Sequence, residues 1–262
     1  MKYSFQRALP LAIALATVSI SSAGPIIFQR ALPTTNLNNA AGVNRSNAGP
    51  IQGSFGGTPF TLGDDFILPG TGSIVIDSIS VFMITNTLAG TPSSEFSQIR
   101  LFGGADNFPA LSPLTQLSQT YTATKVQYNG ATDFQSLSSS TLFSIYQLTF
   151  AGLGWTVQKN QYYDFAVNGT PIGGNTFALS VSNDVLGGAT NPGAPAWDGS
   201  FLFFQGNPLN LTAASNTGTL IGFGKGADVN VIITSGVPVP EPASFGMFAI
   251  GLGALVMRLR RK

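Results

Sequence analysis

The chain has 262 residues, 12 basic and 11 acidic side chains, and neither Cys nor His. Without those two residue types, Ser-His-Asp, Cys-His and His-assisted base chemistry are excluded, and zinc and most transition metals lose their usual ligands. Charged residues are only 9% of the chain, against about 25% in ordinary soluble proteins. Nucleic-acid binding, which needs clustered Lys and Arg, is therefore not expected.

At the front, Lys2 and Arg7 precede an apolar run from Ala8 to Val18, and small residues follow through Ala23. A charged start, a short apolar stretch and Ser21 and Ala23 at small-residue positions describe a signal peptide over 1–23, cut after Ala23 by signal peptidase. Phe-Gln-Arg-Ala-Leu-Pro occurs at 5–10 and again at 28–33. That repetition reads as a local duplication and implies no function.

Residues 24–236 hold ten acids and six bases, so the near-neutral chain contains a mildly acidic exported domain with a formal charge of −4. Export would permit disulfides, yet Cys is absent, so an apolar core must hold the fold by itself. At about 210 residues one core is feasible. The 31 Gly and 16 Pro stay below the roughly 25–30% of a chain that argues for disorder.

Residues 24–63, rich in Asn, Gly and Thr from 34 onward, read as an irregular arm with one or two edge strands. From 64 to 236 the pattern is that of a β domain. Over 73–85, Ile74, Ile76, Phe82 and Ile84 fall on one parity and Val75, Ile79, Val81 and Met83 on the other. A strand apolar on both faces suits a sandwich interior, although Asp77, Ser78 and Ser80 interrupt it. Further strands are expected at 97–103, 114–122, 141–150, 161–168, 175–182, 200–205, 218–223 and 227–234. Turn dipeptides separate them: Gly103-Gly104, Asn129-Gly130, Asn168-Gly169, Gly173-Gly174, Asn183-Asp184 and Gly187-Gly188. No helical period with caps persists for three turns. The expected fold is all-β, an antiparallel β-sandwich or jelly roll.

Sites of chemistry are sparse. Gly222-Phe-Gly-Lys-Gly lacks the spacing and the Ser or Thr of a phosphate loop and reads as a glycine-rich hairpin. A glycosidase would need two facing carboxylates. Asp164, Asp184 and Asp198 are the available acids, and nothing in the sequence pairs them, so no enzyme is expected. Calcium is the metal that suits a set of carboxylates and carbonyls, which makes Asp64 and Asp65, and Asn183-Asp184, its conceivable ligands, without the spacing of a known calcium loop. Trp197 and Asp198, in the long loop 185–199, and Tyr162 and Tyr163 are candidate sugar contacts, since a flat aromatic suits the apolar face of a sugar ring. Tyr162 and Tyr163 must face opposite sides of a strand, so one of them, together with Trp155, is expected in the core.

The last 26 residues, 237–262, have three parts. Pro238, Pro240 and Pro242 make an extended strip without donors. Ala243–Met257 contains no charge, and Arg258, Arg260, Arg261 and Lys262 follow as a stop that stays on the cytoplasmic side. As a helix, fifteen residues cover about 22 Å, short of the roughly 30 Å hydrocarbon core. The tripeptide Pro240-Glu241-Pro242 with this apolar segment and basic end resembles the PEP-CTERM sorting signal. That resemblance implies a transient stay in the membrane and cutting by exosortase. Asp64-Asp65-Phe66, Gln98–Phe102 and Tyr162–Phe165 in turn resemble the jelly-roll ectodomain of PEP-CTERM proteins.

Two functions fit the sequence. One is a non-catalytic protein sorted to the cell surface or exopolysaccharide matrix, with a structural or adhesive role. The other is a lectin-like module that binds extracellular polysaccharide, with calcium in a supporting part; a glycan-cleaving enzyme ranks behind both.

Overall fold

A computed structural model describes residues 24–32, 46–50, 60–106, 114–126, 133–135, 142–183, 202–207, 210–216 and 227–236. These contain sixteen strands and one turn of helix. In chain order the first are β1 (Ile26–Arg30), β2 (Ser46–Pro50), β3 (Phe60–Ile67) and β4 (Ser73–Ile84), then helix α1 (Pro92–Glu95). β5 (Phe96–Ala105), β6 (Thr115–Ser118), β7 (Thr122–Lys125), β8 (Asp133–Gln135), β9 (Leu142–Phe150) and β10 (Trp155–Gln158) follow. The remainder are β11 (Tyr162–Pro171), β12 (Ala178–Asn183), β13 (Leu202–Asn207), β14 (Asn210–Asn216), β15 (Ala227–Val229) and β16 (Val231–Ser235).

All pairings are antiparallel and fall into two sheets. The six-stranded sheet runs β14-β13-β3-β11-β5-β6, and the other ten strands form the second sheet around β4. Phe66, Leu101, Phe165 and Val167 from the first sheet and Ile76, Ile79, Leu148, Phe150 and Ile233 from the second belong to one buried cluster. Apolar faces of two sheets closed on a shared core make a β-sandwich, the architecture expected from the alternating strands. The chain crosses between sheets repeatedly, as at β3 to β4, β4 to β5 and β11 to β12.

β4 explains its own two-sided pattern. Its register against β16 slips between Thr234 and Ser235, where β4 carries the extra residue Asp77. A bulge of one residue reverses which parity points inward. Ile74 and Ile76 before it, and Ile79, Val81 and Met83 after it, all face the shared core. Phe82 and Ile84 then point outward into a second small cluster with Ile145 and Ala178. The polar interruptions are satisfied across the ladder: Ser78 Oγ lies 2.7 Å from Thr234 Oγ1 and Ser80 Oγ lies 2.8 Å from Thr149 Oγ1. Backbone O of Asp77 accepts from Leu153 N at 2.9 Å, tying the bulge to the connection between β9 and β10.

Two expected turns are strand interior instead. Gly103-Gly104 lies within β5 and Asn168-Gly169 within β11. Their glycines are needed for packing. A Cβ on Gly103 would stand 2.7 Å from a Leu117 methyl and 2.9 Å from the Trp155 ring. One on Gly169 would meet the Phe177 and Phe96 rings at 2.8 and 2.9 Å. Gly173 does turn the chain, with φ +70°. The expected strand 114–122 divides into β6 and β7, which join different sheets, and 227–234 breaks at Asn230. The expected strand 218–223 and the dipeptides at 129–130 and 187–188 lie outside the described residues.

β8, β10 and β14 were not anticipated from periodicity, being short or irregular in pattern. The arm over 24–63 supplies β1, paired to β16, β2, paired to β12, and the start of β3. Helix α1 is a single turn: the Thr91 side chain accepts from Ser94 N and the Ser94 side chain from Thr91 N, a reciprocal cap. Its last residue, Glu95, is buried and accepts from Asn86 N and Asn86 Nδ2, each at 2.9 Å. Asn86 also bridges to both backbone groups of Thr176, so the loop after β4 is tied to the start of β12.

Candidate functional site

Tyr162 and Tyr163 divide as a strand requires. Tyr162 is 45% exposed, whereas Tyr163 is buried among Phe66, Trp155 and Phe165. The Tyr163 hydroxyl accepts from Gln158 N at 2.8 Å and donates to Gln161 Oε1 at 3.3 Å. Its ring stacks on Phe66 and meets Trp155 edge-on at 5.6 Å. Tyr163 is thus a core residue, Trp155 is partly buried and packs against the core, and Tyr162 is the exposed one of the three. Trp197, Asp198, Ala23 and the segment 237–262 lie outside the described residues.

Asp64 and Asp65 point to opposite faces of β3. Asp64 turns inward and is fully buried. Its Oδ2 accepts from Val229 N at 2.7 Å and lies 2.8 Å from Arg30 Nη1, while Oδ1 accepts from Asp65 N at 2.8 Å. The Arg30 contact is an ion pair more than an aligned hydrogen bond. Arg30 Nη2 donates to backbone O of Asp65 at 2.9 Å and stands 3.6 Å from Asp65 Oδ1, and the guanidinium lies 5.1 Å from the Phe28 ring centre. Burial pushes the Asp64 carboxyl well above the usual carboxylate range; Arg30 opposes that push, and Asp228 and Asp65 add to it. These partners occupy both Asp64 oxygens. Among the described residues no three acidic side chains converge as a cation site.

A second acidic group sits on the outward face of the six-stranded sheet. Asp164 stands directly opposite Asp65 in the β3–β11 register. Its Oδ1 is buried without a hydrogen-bond partner. Burial first, then the Asp106 and Asp65 charges, push the Asp164 carboxyl up to about 8. A carboxyl raised in this way is what general acid chemistry uses, but at 5% exposure Asp164 is closed to a substrate.

The last described strand ends next to the first described residues. Ile26 pairs with Thr234, Ser235 N donates to Pro25 O and Gly236 N donates to Val75 O, both at 3.0 Å. Two residues beyond Gly236, the family model for the PEP-CTERM protein-sorting motif matches residues 238–262. The chain carries a PEP-CTERM sorting motif. That motif is an exosortase recognition signal and marks an exported, surface-sorted protein. No curated protein and no solved structure matches the chain.

The PEP-CTERM motif therefore starts almost at the edge of the sandwich, with Val237 alone between Gly236 and Pro238. No helix among the described residues is long and apolar enough to cross a membrane. Sequence reasoning missed two residues at the opposite end of this strand pair, Arg30 and Asn230. Asn230 Oδ1 accepts from Ser180 Oγ and Ser182 Oγ, each at 2.8 Å, and Nδ2 donates to Ala31 O at 2.8 Å. A signal for Arg30 was present: a lone cation closing the apolar run Ile26-Ile27-Phe28 must find a buried anion.

Proposed function

We propose that this is a non-catalytic exported protein, sorted by exosortase to the cell surface or the exopolysaccharide matrix, where its sandwich has a structural or adhesive role. The observation that carries the reading is the PEP-CTERM motif at 238–262, joined to an all-β domain within two residues of its last hydrogen bond. The inward charged groups of that domain support it. Arg30 and Asp64 bind each other and the backbone across the two sheets, and Asp164 is closed off. Those arrangements serve folding rather than turnover.

Intact mass and fractionation of the protein from an exosortase-positive host and its exosortase-negative mutant test the proposal. The positive host should yield a product that lacks the residues after about Pro242 and leaves the membrane. The mutant should retain Lys262 in the membrane fraction. Full-length protein in both hosts would make the tail a plain anchor and end the sorting reading. A glycan array on the released domain then tests the adhesive role, with Tyr162→Ala and Trp197→Ala as the informative variants.

A further inference from the structure

We infer that one pole of the sandwich, formed by Pro25, Ile26, Val75 and Gly236, is the face that rests on the lipid bilayer while the chain is tethered, with Ile26 and Val75 seated at the headgroup layer. The inference rests on the sorting reading above and adds an orientation to it.

Three observations lead there. First, both ends of the described domain leave at this pole. β1 begins at Ile26 and β16 ends at Ser235, the two strands are antiparallel neighbours, and Pro25 and Val75 accept from Ser235 N and Gly236 N. Second, the tethers are short. The apolar run that begins at Ala243 lies seven residues past Gly236, and, until the leader is cut after Ala23, its apolar run ends at Val18, seven residues before Pro25. Seven residues reach at most about 25 Å. β4 alone has 12 residues, about 40 Å at strand rise, so the opposite pole stands beyond that reach. Third, the tethered pole displays Ile26 at 55% and Val75 at 45% exposure, on either side of the point where the chain departs.

Exposure alone does not select this pole, because Leu88 and Ile172 at the other end are similarly open. The tethers select it. Side chains of this kind gain by entering the interfacial layer when held against it. The ionisable groups nearby are Lys159, whose N donates to Gly72 O, and Asp77, which lies beside Gly236, so the pole itself carries no strong positive field. Contact should accordingly be apolar and independent of anionic lipid.

The absence of Cys makes the test direct. Single-cysteine variants of the full chain, Ile26→Cys, Val75→Cys, Leu88→Cys and Ile172→Cys, would each carry an environment-sensitive fluorophore. They would be mixed with vesicles of phosphatidylcholine, with and without phosphatidylglycerol, containing a nitroxide-labelled lipid as quencher. Labels at 26 and 75 should shift to the blue and be quenched in both lipids, and labels at 88 and 172 should do neither. All four sites are exposed, so labelling leaves the core intact. An equal response at both poles overturns the inference. So does a response at 26 and 75 that needs added exosortase, which would make the pole a protein-docking face. Flotation of the same samples separates the two readings. A chain that floats with silent labels at 26 and 75 defeats the orientation alone, and a chain that does not float defeats the membrane tether as well.

Discussion

Arg30 and Asp64 join the two sheets through a 2.8 Å ion pair in which neither side chain is more than 8% exposed. Removing one partner of such a pair leaves an uncompensated buried charge, which costs about 3–5 kcal/mol, whereas replacing both with apolar groups of similar volume is often neutral. The two single losses should differ. Asp64 is already raised towards its neutral form by burial and can take up a proton, but a guanidinium cannot lose one. Asp64→Leu should therefore be more destabilising than Arg30→Met at mildly acidic pH, and Arg30→Met/Asp64→Leu should recover most of the loss. Urea unfolding of the three variants checks this; equal single losses that add in the double variant would refute it.

Asp164 makes stability depend on pH in a definite direction. Its folded value of about 8 lies above the roughly 3.9 of an unfolded Asp. Between these values the folded state holds the extra proton, so stability falls as pH rises through the window and levels off above it. Each pH unit inside the window weakens the fold by up to about 1.4 kcal/mol. Asp164→Asn keeps the shape and removes the titration. The variant should melt above the wild type near pH 8.5 and close to it near pH 3.5. Melting curves that stay parallel across that range would mean that Asp164 ionises normally.

The reach of the sequence can be judged on β4 and its neighbours. The apolar content of Ile74–Ile84 was legible, and so was a sandwich, because strand alternation reports the number of buried faces. The bulge at Asp77 was not, because one inserted residue reverses parity without altering composition. Gly103 and Asn168-Gly169 misled for a related reason: turn propensity is local, whereas those positions are chosen by the rings of Trp155, Phe96 and Phe177, which come from distant parts of the sequence. The polar groups followed the same rule. Asp64 and Asp164 were visible as candidate carboxylates, but their partners, Arg30 at 34 residues' remove from Asp64 and Asp65 at 99 from Asp164, are set by pairing. The sorting motif at 238–262 was legible because its chemistry is written in consecutive residues.

The glycine argument yields a paired test. A methyl at Gly169 would press on the Phe96 and Phe177 rings, which themselves meet edge-on at 5.1 Å. Overpacking of that kind costs about 1–3 kcal/mol. Gly174, a few residues along the same chain, has open space around it and no positive φ. Gly174→Ala should be neutral or slightly stabilising, since it only restricts the unfolded chain. Thermal unfolding should thus order the proteins Gly174→Ala at or above wild type and Gly169→Ala below. The reverse order would put residue 169 in a turn.

Sorting and folding should be separable in this chain. The described fold ends at Gly236, whose N–H is its last backbone donor to the sandwich, and the sorting motif begins at Pro238. Replacing Glu241 with Ala removes no contact of the sandwich, so its melting temperature should not move. If exosortase reads Pro240-Glu241-Pro242, the same variant should stay uncut and in the membrane. Arg30→Met should do the opposite, lowering the melting temperature while a folded fraction is still cut. Running both variants through the same host, with melting and intact mass measured on each, decides the matter. A Glu241→Ala protein that is released normally would remove the tripeptide from the recognition step, and one that melts lower would show that the tail packs on the sandwich after all.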